Sequence, residues 1–161
     1  MNSNQSITNV SFSFLKGSEE FLNIVLDNIN SCVLLLDKDY YLKAFNDVLK
    51  TIFSNKKDED LLYMKCGEAI GCAYQIEEQK ECGETTHCCD CELREAALIS
   101  YAKNEVVYKE SIVRPFYNAQ HKKIDKHLQF STRLFKFKKD KYVILIIEDI
   151  TKFIKPEKVK P

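Results

Sequence analysis

Residues 126–148 read KHLQFSTRLFKFKKDKYVILIIE, and this stretch decides the fold. Between 128 and 134 apolar and polar side chains alternate: Leu128, Phe130 and Leu134 fall in one phase, Gln129, Ser131 and Arg133 in the other. A period of two is what a strand with one buried and one wet face requires, so 126–137 is predicted as an antiparallel strand. The charged run 138–141 marks a turn, and 142–147 beyond it is apolar throughout, as a central strand buried on both faces would be. Together the two runs predict a β-hairpin.

Upstream, 105–116 reads as a further strand, joined through a basic turn at 121–123. Residues 92–103 read as a helix, with Asp90 as candidate cap and Asn104 as candidate stop. Near the N-terminus, Ser18 caps a predicted helix over 19–30 that carries Glu19 and Glu20 in its first turn, where the helix dipole favours acids. Phe21, Leu22, Val25, Leu26 and Ile29 form an apolar stripe on it at helical spacing. A short strand at 32–36, a turn at 37–39 and a strand at 40–45 make a second hairpin, followed by a short helix at 46–53 and a charged loop at 54–60. The order β-β-α-α-β-β-β argues an α+β domain on an antiparallel sheet.

A chain of 161 residues makes one domain, and 45% hydrophobic with 30% charged residues excludes disorder throughout. The longest apolar runs fall far short of the roughly 18 residues that span a bilayer. Residues 1–10 are polar and uncharged, so no secretory signal is expected and the chain reads as cytoplasmic. Lys+Arg and Asp+Glu are 24 each, which argues for neither nucleic acid nor membrane as a partner. Residues 1–120 carry 12 basic and 19 acidic side chains, net −7, and 121–161 carry 12 and 5, net +7; the basic excess falls in turns and tail, where solvated lysines are the default.

Six of the seven cysteines lie between Cys66 and Cys91, with Gly67, Gly71 and Gly83 beside them. With no secretory signal, an odd cysteine count points to reduced thiols rather than a disulfide framework. Cys88 and Cys91 form a C-x-x-C at the start of a predicted helix, where free N–H groups favour the thiolate, the ligating form. Cys82-Gly83 adds a third sulfur on a backbone free to bend, and Gly71-Cys72 a fourth, with Cys66 an alternative to it. Four thiolates suit zinc or a [4Fe–4S] cluster. His87 is an alternative zinc ligand, Cys89 reads as a bystander between two ligands, and Cys32 as core. The acidic neighbours Glu77, Glu78, Glu81, Glu84, Asp90 and Glu92 mark the segment as an exposed loop.

Phe21-Leu-Asn-Ile-Val-Leu-Asp-Asn-Ile29, Val33-Leu-Leu-Leu-Asp37, Ala44-Phe-Asn46 and the closing Ile147-Glu-Asp-Ile-Thr151 resemble a PAS domain over roughly 19–153. Gly67-Glu-Ala-Ile-Gly-Cys72, Glu77-Glu78, Cys82-Gly83, Cys88-x-x-Cys91 and Leu93-Arg94-Glu-Ala96 resemble a cysteine-bearing PAS subfamily of bacterial signalling proteins. The resemblance implies a five-stranded antiparallel sheet with short helices on one face and a cysteine-rich loop insertion. Residues 1–17, polar with scattered aromatics, read as a flexible leader, 18–153 as the sensor domain and 154–161 as a basic tail. The resemblance implies Cys72, Cys82, Cys88 and Cys91 as ligands of a metal or iron–sulfur centre; Cys66 and Cys89 depart from the pattern and leave a ligand swap open. If the chain is the full gene product, the signal is expected to pass to a partner protein or to a second copy through the N-terminal stripe, with packing of that stripe on its own sheet as the equal alternative.

Three functions follow as expectations. The first is redox or oxygen sensing by a [4Fe–4S] cluster, favoured over zinc by the uneven ligand spacing of nine, five and two intervening residues. The second is an interaction or small-ligand PAS module with structural zinc. The third, a dithiol oxidoreductase using Cys88 and Cys91, lacks the strand that precedes such a motif in thioredoxin-like folds. No Ser-His-Asp, phosphate-cradling glycine loop or paired-carboxylate arrangement appears, so no enzyme is expected.

Overall fold

Alternation at 126–137 and the charged turn after it produce the longest ladder in the molecule. The computed structural model describes residues 19–53 and 60–154. Strand β4 (Lys123–Phe137) pairs antiparallel with β5 (Asp140–Asp149) from Phe137↔Asp140 to Leu128↔Asp149, around a tight turn in which Lys138 takes φ 56°. Two further strands, β1 (Cys32–Leu36) and β2 (Leu42–Phe45), and an edge strand β3 (Val107–Tyr117) complete a five-stranded sheet in the order β2-β1-β5-β4-β3. Every neighbouring pair is antiparallel. Pro115 lies on the edge strand β3, where a missing ladder donor is tolerated.

The helices are α1 (Glu19–Asn28), α2 (Val48–Ile52), α3 (Cys66–Ile70), α4 (Ala73–Glu78) and α5 (Glu92–Lys103). Helix α5 lies across β3, β4 and β5, burying Leu93, Ala96 and Ala97 against Leu128, Phe130, Val143 and Leu145. One polar contact crosses this apolar layer. The Ser100 and Thr132 hydroxyls lie 2.7 Å apart, and their two protons are shared among that contact, the Glu105 carbonyl beside Ser100 and the Ala96 carbonyl 3.0 Å from Thr132. Both side chains are fully buried, so these bonds satisfy groups that would otherwise be costly.

Several expectations change. Strand β5 is central, but it buries only Val143, Leu145 and Ile147; Ile144 and Ile146 face the other way and are half-covered, because the helices blanket one face of the sheet. The 66–91 segment is not an exposed loop: α3 buries Cys66, Gly67, Ala69 and Ile70, and α4 and a 3-10 turn at Cys88–Asp90 follow it. The cap of α5 is Cys91 rather than Asp90, while Asn104 does end the helix, in a left-handed conformation. The stripe on α1 is not packed on the sheet; the helix buries no residue, and Leu22 is 56% exposed. The predicted leader, Ser18, most of the charged loop and most of the basic tail lie outside the described residues.

Two signature residues hold the ends of the domain. Asn46, after β2, accepts from Val33 N–H at 2.9 Å and donates to the carbonyls of Leu26 and Ser31, so it joins β1 to the end of α1. At the exit, Asp149 accepts from the Thr151 amide and hydroxyl and from Lys126, and Thr151 in turn accepts from the His127 amide. Burial disfavours the Asp149 charge, but these donors outweigh it and hold the carboxyl below its usual range.

Candidate metal centre

The cysteine segment is folded by its glycines. Helix α3 ends at Gly71, whose φ of 76° turns the chain so that Cys72 N–H reaches the Gly67 carbonyl at 2.9 Å. Cys72 then bridges to Phe116, and Tyr117 N–H donates to the Gly71 carbonyl, which fixes this corner to β3. Cys82 lies against Gly67 so closely that a Cβ there would stand 2.9 Å from its sulfur. Cys91 caps α5 in an extended conformation, with no side-chain hydrogen bond to the helix amides.

Cys72, Cys82, Cys88 and Cys91 all line one cavity of about 30 Å³, together with Cys66. The first four come from the α3–α4 corner, the following loop, the 3-10 turn and the α5 cap. Among the described residues, no three His, Cys, Asp or Glu side chains stand close enough together to grip a single metal ion. Cys89 is exposed and off the cavity, with its thiol toward the Thr86 carbonyl. His87 stacks on Tyr74 at 3.8 Å between ring centroids, also off the cavity. Cys32, the first residue of β1, is buried in the core, which pushes its thiol up to about 12.

The thiols differ in character. Cys88 resists the effect of its partial burial: its sulfur accepts from Gly83 N–H at 3.1 Å and lies 3.0 Å from the Thr85 hydroxyl, and Arg94 adds positive charge. The net result is a lowered pKa, so Cys88 is the thiol most ready to ligate. Burial pushes Cys82 up to about 11 and raises Cys91, against which Arg114 acts. Cys66 is raised far more, by complete burial and the neighbouring sulfurs.

Three further residues shape the site, and none was given a role from sequence. Arg114 is buried, with its nearest carboxylate, on Glu92, 3.8 Å away, and it contacts Cys72. Its signal was present in the strand phase, since Ile112, Arg114 and Phe116 share the inward face of β3. Arg94 covers the Tyr40 ring with its guanidinium 5.2 Å from the centroid. Tyr40 lines the cavity, is 4% exposed, and its hydroxyl has no hydrogen-bond partner. Nothing in the sequence around Tyr40 marks it, because the turn that buries it is set by contacts from α3 and α5.

The donor chemistry of this cavity is that of a sulfur-ligated centre, while among the described residues no three ligating side chains converge on one point. Five sulfurs face one space, two guanidinium groups offset the negative charge that thiolates leave on such a centre, and a buried hydroxyl lacks an acceptor.

No family model matches the sequence, and no curated protein matches it. Solved structures are similar in three dimensions. The PAS domain of nitrogen regulation protein NR(II) from Vibrio parahaemolyticus matches with a TM-score of 0.58 at 10% identity, over 80% of this chain and 97% of that one. A PAS domain from Colwellia psychrerythraea matches at 0.54 and 8%, over 83% and 97%. The PAS domain of Bordetella pertussis BvgS matches at 0.53 and 17%, over 82% and 85%. The chain therefore has the PAS fold, with a cysteine-lined cavity between α3, α5 and β3. Among the described residues, no helix is long and apolar enough to cross a membrane.

Proposed function

We propose that this chain is a PAS-type sensory and signalling module that holds a [4Fe–4S] cluster through Cys72, Cys82, Cys88 and Cys91 and reports redox state or oxygen. The observation that carries this reading is the single cavity shared by four cysteines spread over 20 residues. A bound cluster supplies reversible electron exchange at a potential tuned by its hydrogen bonds and exposure. Cys88, already inclined to the thiolate, is the first ligand; Arg94 and Arg114 offset the thiolate charge; Cys91 ties the centre to α5. Thiolates on one zinc ion, with Zn–S near 2.3 Å, stand about 3.8 Å apart. Among the described residues, no three ligands stand close enough together for that single-ion geometry.

The cavity volume favours a second reading, structural zinc, because about 30 Å³ admits roughly two waters rather than a polynuclear centre. Under either reading the exposed Leu22, Ile24, Val25 and Ile29 on and just after α1 are the docking face for a second copy or a signalling partner. Anaerobic purification followed by metal and sulfide analysis and a visible spectrum separates the readings. Iron, sulfide and a colour that bleaches in air support the cluster. A colourless protein holding only zinc replaces it with the second reading, and a metal-free protein overturns both.

A further inference from the structure

We propose that Tyr40 is a positioning residue whose hydroxyl donates a hydrogen bond to a sulfur of the centre held in the cysteine cavity. This rests on the metal-binding reading above. The residue carries two unfavourable features at once. Its backbone is in the left-handed region, φ 75°, which is uncommon for a non-glycine residue and sterically poor for a bulky one. Its hydroxyl is buried with no partner, although buried tyrosine O–H groups usually find one.

The surroundings hold it there. The Asp37 carboxylate accepts from the amides of Asp39 and Tyr41, the Tyr40 amide donates to the Asp37 carbonyl, and the Tyr40 carbonyl accepts from Cys66 N–H at 3.0 Å. Arg94 lies over the ring. Backbone and ring are thus fixed from three directions, and the unpartnered hydroxyl belongs to a residue that lines the same cavity as the thiols. Persistent local strain at a site is held by its surroundings and accompanies function. A phenol is a single-proton donor, and thiolate or sulfide sulfur is the acceptor chemistry the cavity offers.

Hydrogen bonds to cluster sulfurs favour the reduced, more negative state and so set the potential. Tyr40→Phe keeps the ring, its cover and the backbone, and deletes only the donor. The test uses the full chain, purified anaerobically, with metal content measured first. In the loaded protein, mediated titration with dithionite as reductant is expected to show unchanged metal content and an oxidised-to-reduced ratio about tenfold higher for Tyr40→Phe. That is a midpoint lower by about 59 mV for a one-electron couple. Urea unfolding gives a second readout that works for zinc as well. Metal-free, the variant is expected to be more stable than wild type, since an unsatisfied hydroxyl is removed; loaded, it is expected to be less stable. An unmoved midpoint together with the same sign of stability change in both forms overturns the role of Tyr40 while leaving the metal site standing. In a zinc-only protein the sign comparison alone decides. Wild-type protein that takes up no metal overturns the metal-binding reading and this inference with it, before any variant is made.

Discussion

Replacing Gly83 by alanine strikes the joint between the cysteine segment and α5. Gly83 has φ 102°, and a Cβ built on it would stand 2.8 Å from Arg94 Nη1 and 3.0 Å from Cζ. An L-residue at that φ costs about 1–2 kcal/mol, and the narrower unfolded ensemble of alanine returns about 0.4–1. The guanidinium ends a long side chain and can swing away, but it then leaves the Tyr40 ring that it covers at 5.2 Å. A cation over a buried ring is worth about 1–2 kcal/mol, so the total loss is about 2 kcal/mol. Urea unfolding of the metal-free protein measures it: at a slope near 2 kcal/mol/M the midpoint drops by about 1 M with the slope unchanged. The same substitution made in an Arg94→Ala background should cost only the backbone part, which leaves a coupling of about 1–2 kcal/mol between the sites. Equal costs in the two backgrounds would refute the claim that Gly83 exists to let Arg94 lie against Tyr40.

Asn46→Ala deletes three hydrogen bonds, with Val33, Leu26 and Ser31, and is expected to cost about 2–3 kcal/mol and to release the end of α1. Hydrogen exchange over residues 19–30 checks this, and unchanged protection of α1 would show that Asn46 does not anchor it. Cys32 titrates near 9 when unfolded and near 12 when folded, so its contribution is complete below pH 9 and is lost as pH rises from 9 towards 12. Metal-free wild type should therefore lose stability faster than Cys32→Ala in that window, by up to about 1.4 kcal/mol per pH unit, as read by urea midpoints.

The sheet was legible because its signals are local. Alternation at 128–134, the apolar run at 142–147 and the charged turn between them survive without tertiary context, and α5 with its Asn104 stop did as well. The 66–91 segment was misread because its helices are five and six residues long, too short for periodicity to show, and its acids lie on the outer surface while Cys66, Ala69 and Ile70 go in. Of the cavity, the cysteines and glycines were legible as a cluster within 26 residues of chain. Tyr40, Arg94 and Arg114 were not, since they arrive from the β1–β2 turn, α5 and β3 and gain meaning only when the fold superimposes them. The stripe on α1 had helical spacing, but spacing alone does not say whether a face meets its own sheet or the outside.

Helix α5 starts at a cavity sulfur and, nine residues later, grips the middle of the sheet through the paired hydroxyls of Ser100 and Thr132. At about 1.5 Å per residue the two ends of that lever are roughly 14 Å apart. The oxygen pair at 2.7 Å is lost once the rod advances by a single residue. The start of α5 at Cys91 and the strand β4 are thus tied to one another through a polar joint that tolerates no change of register.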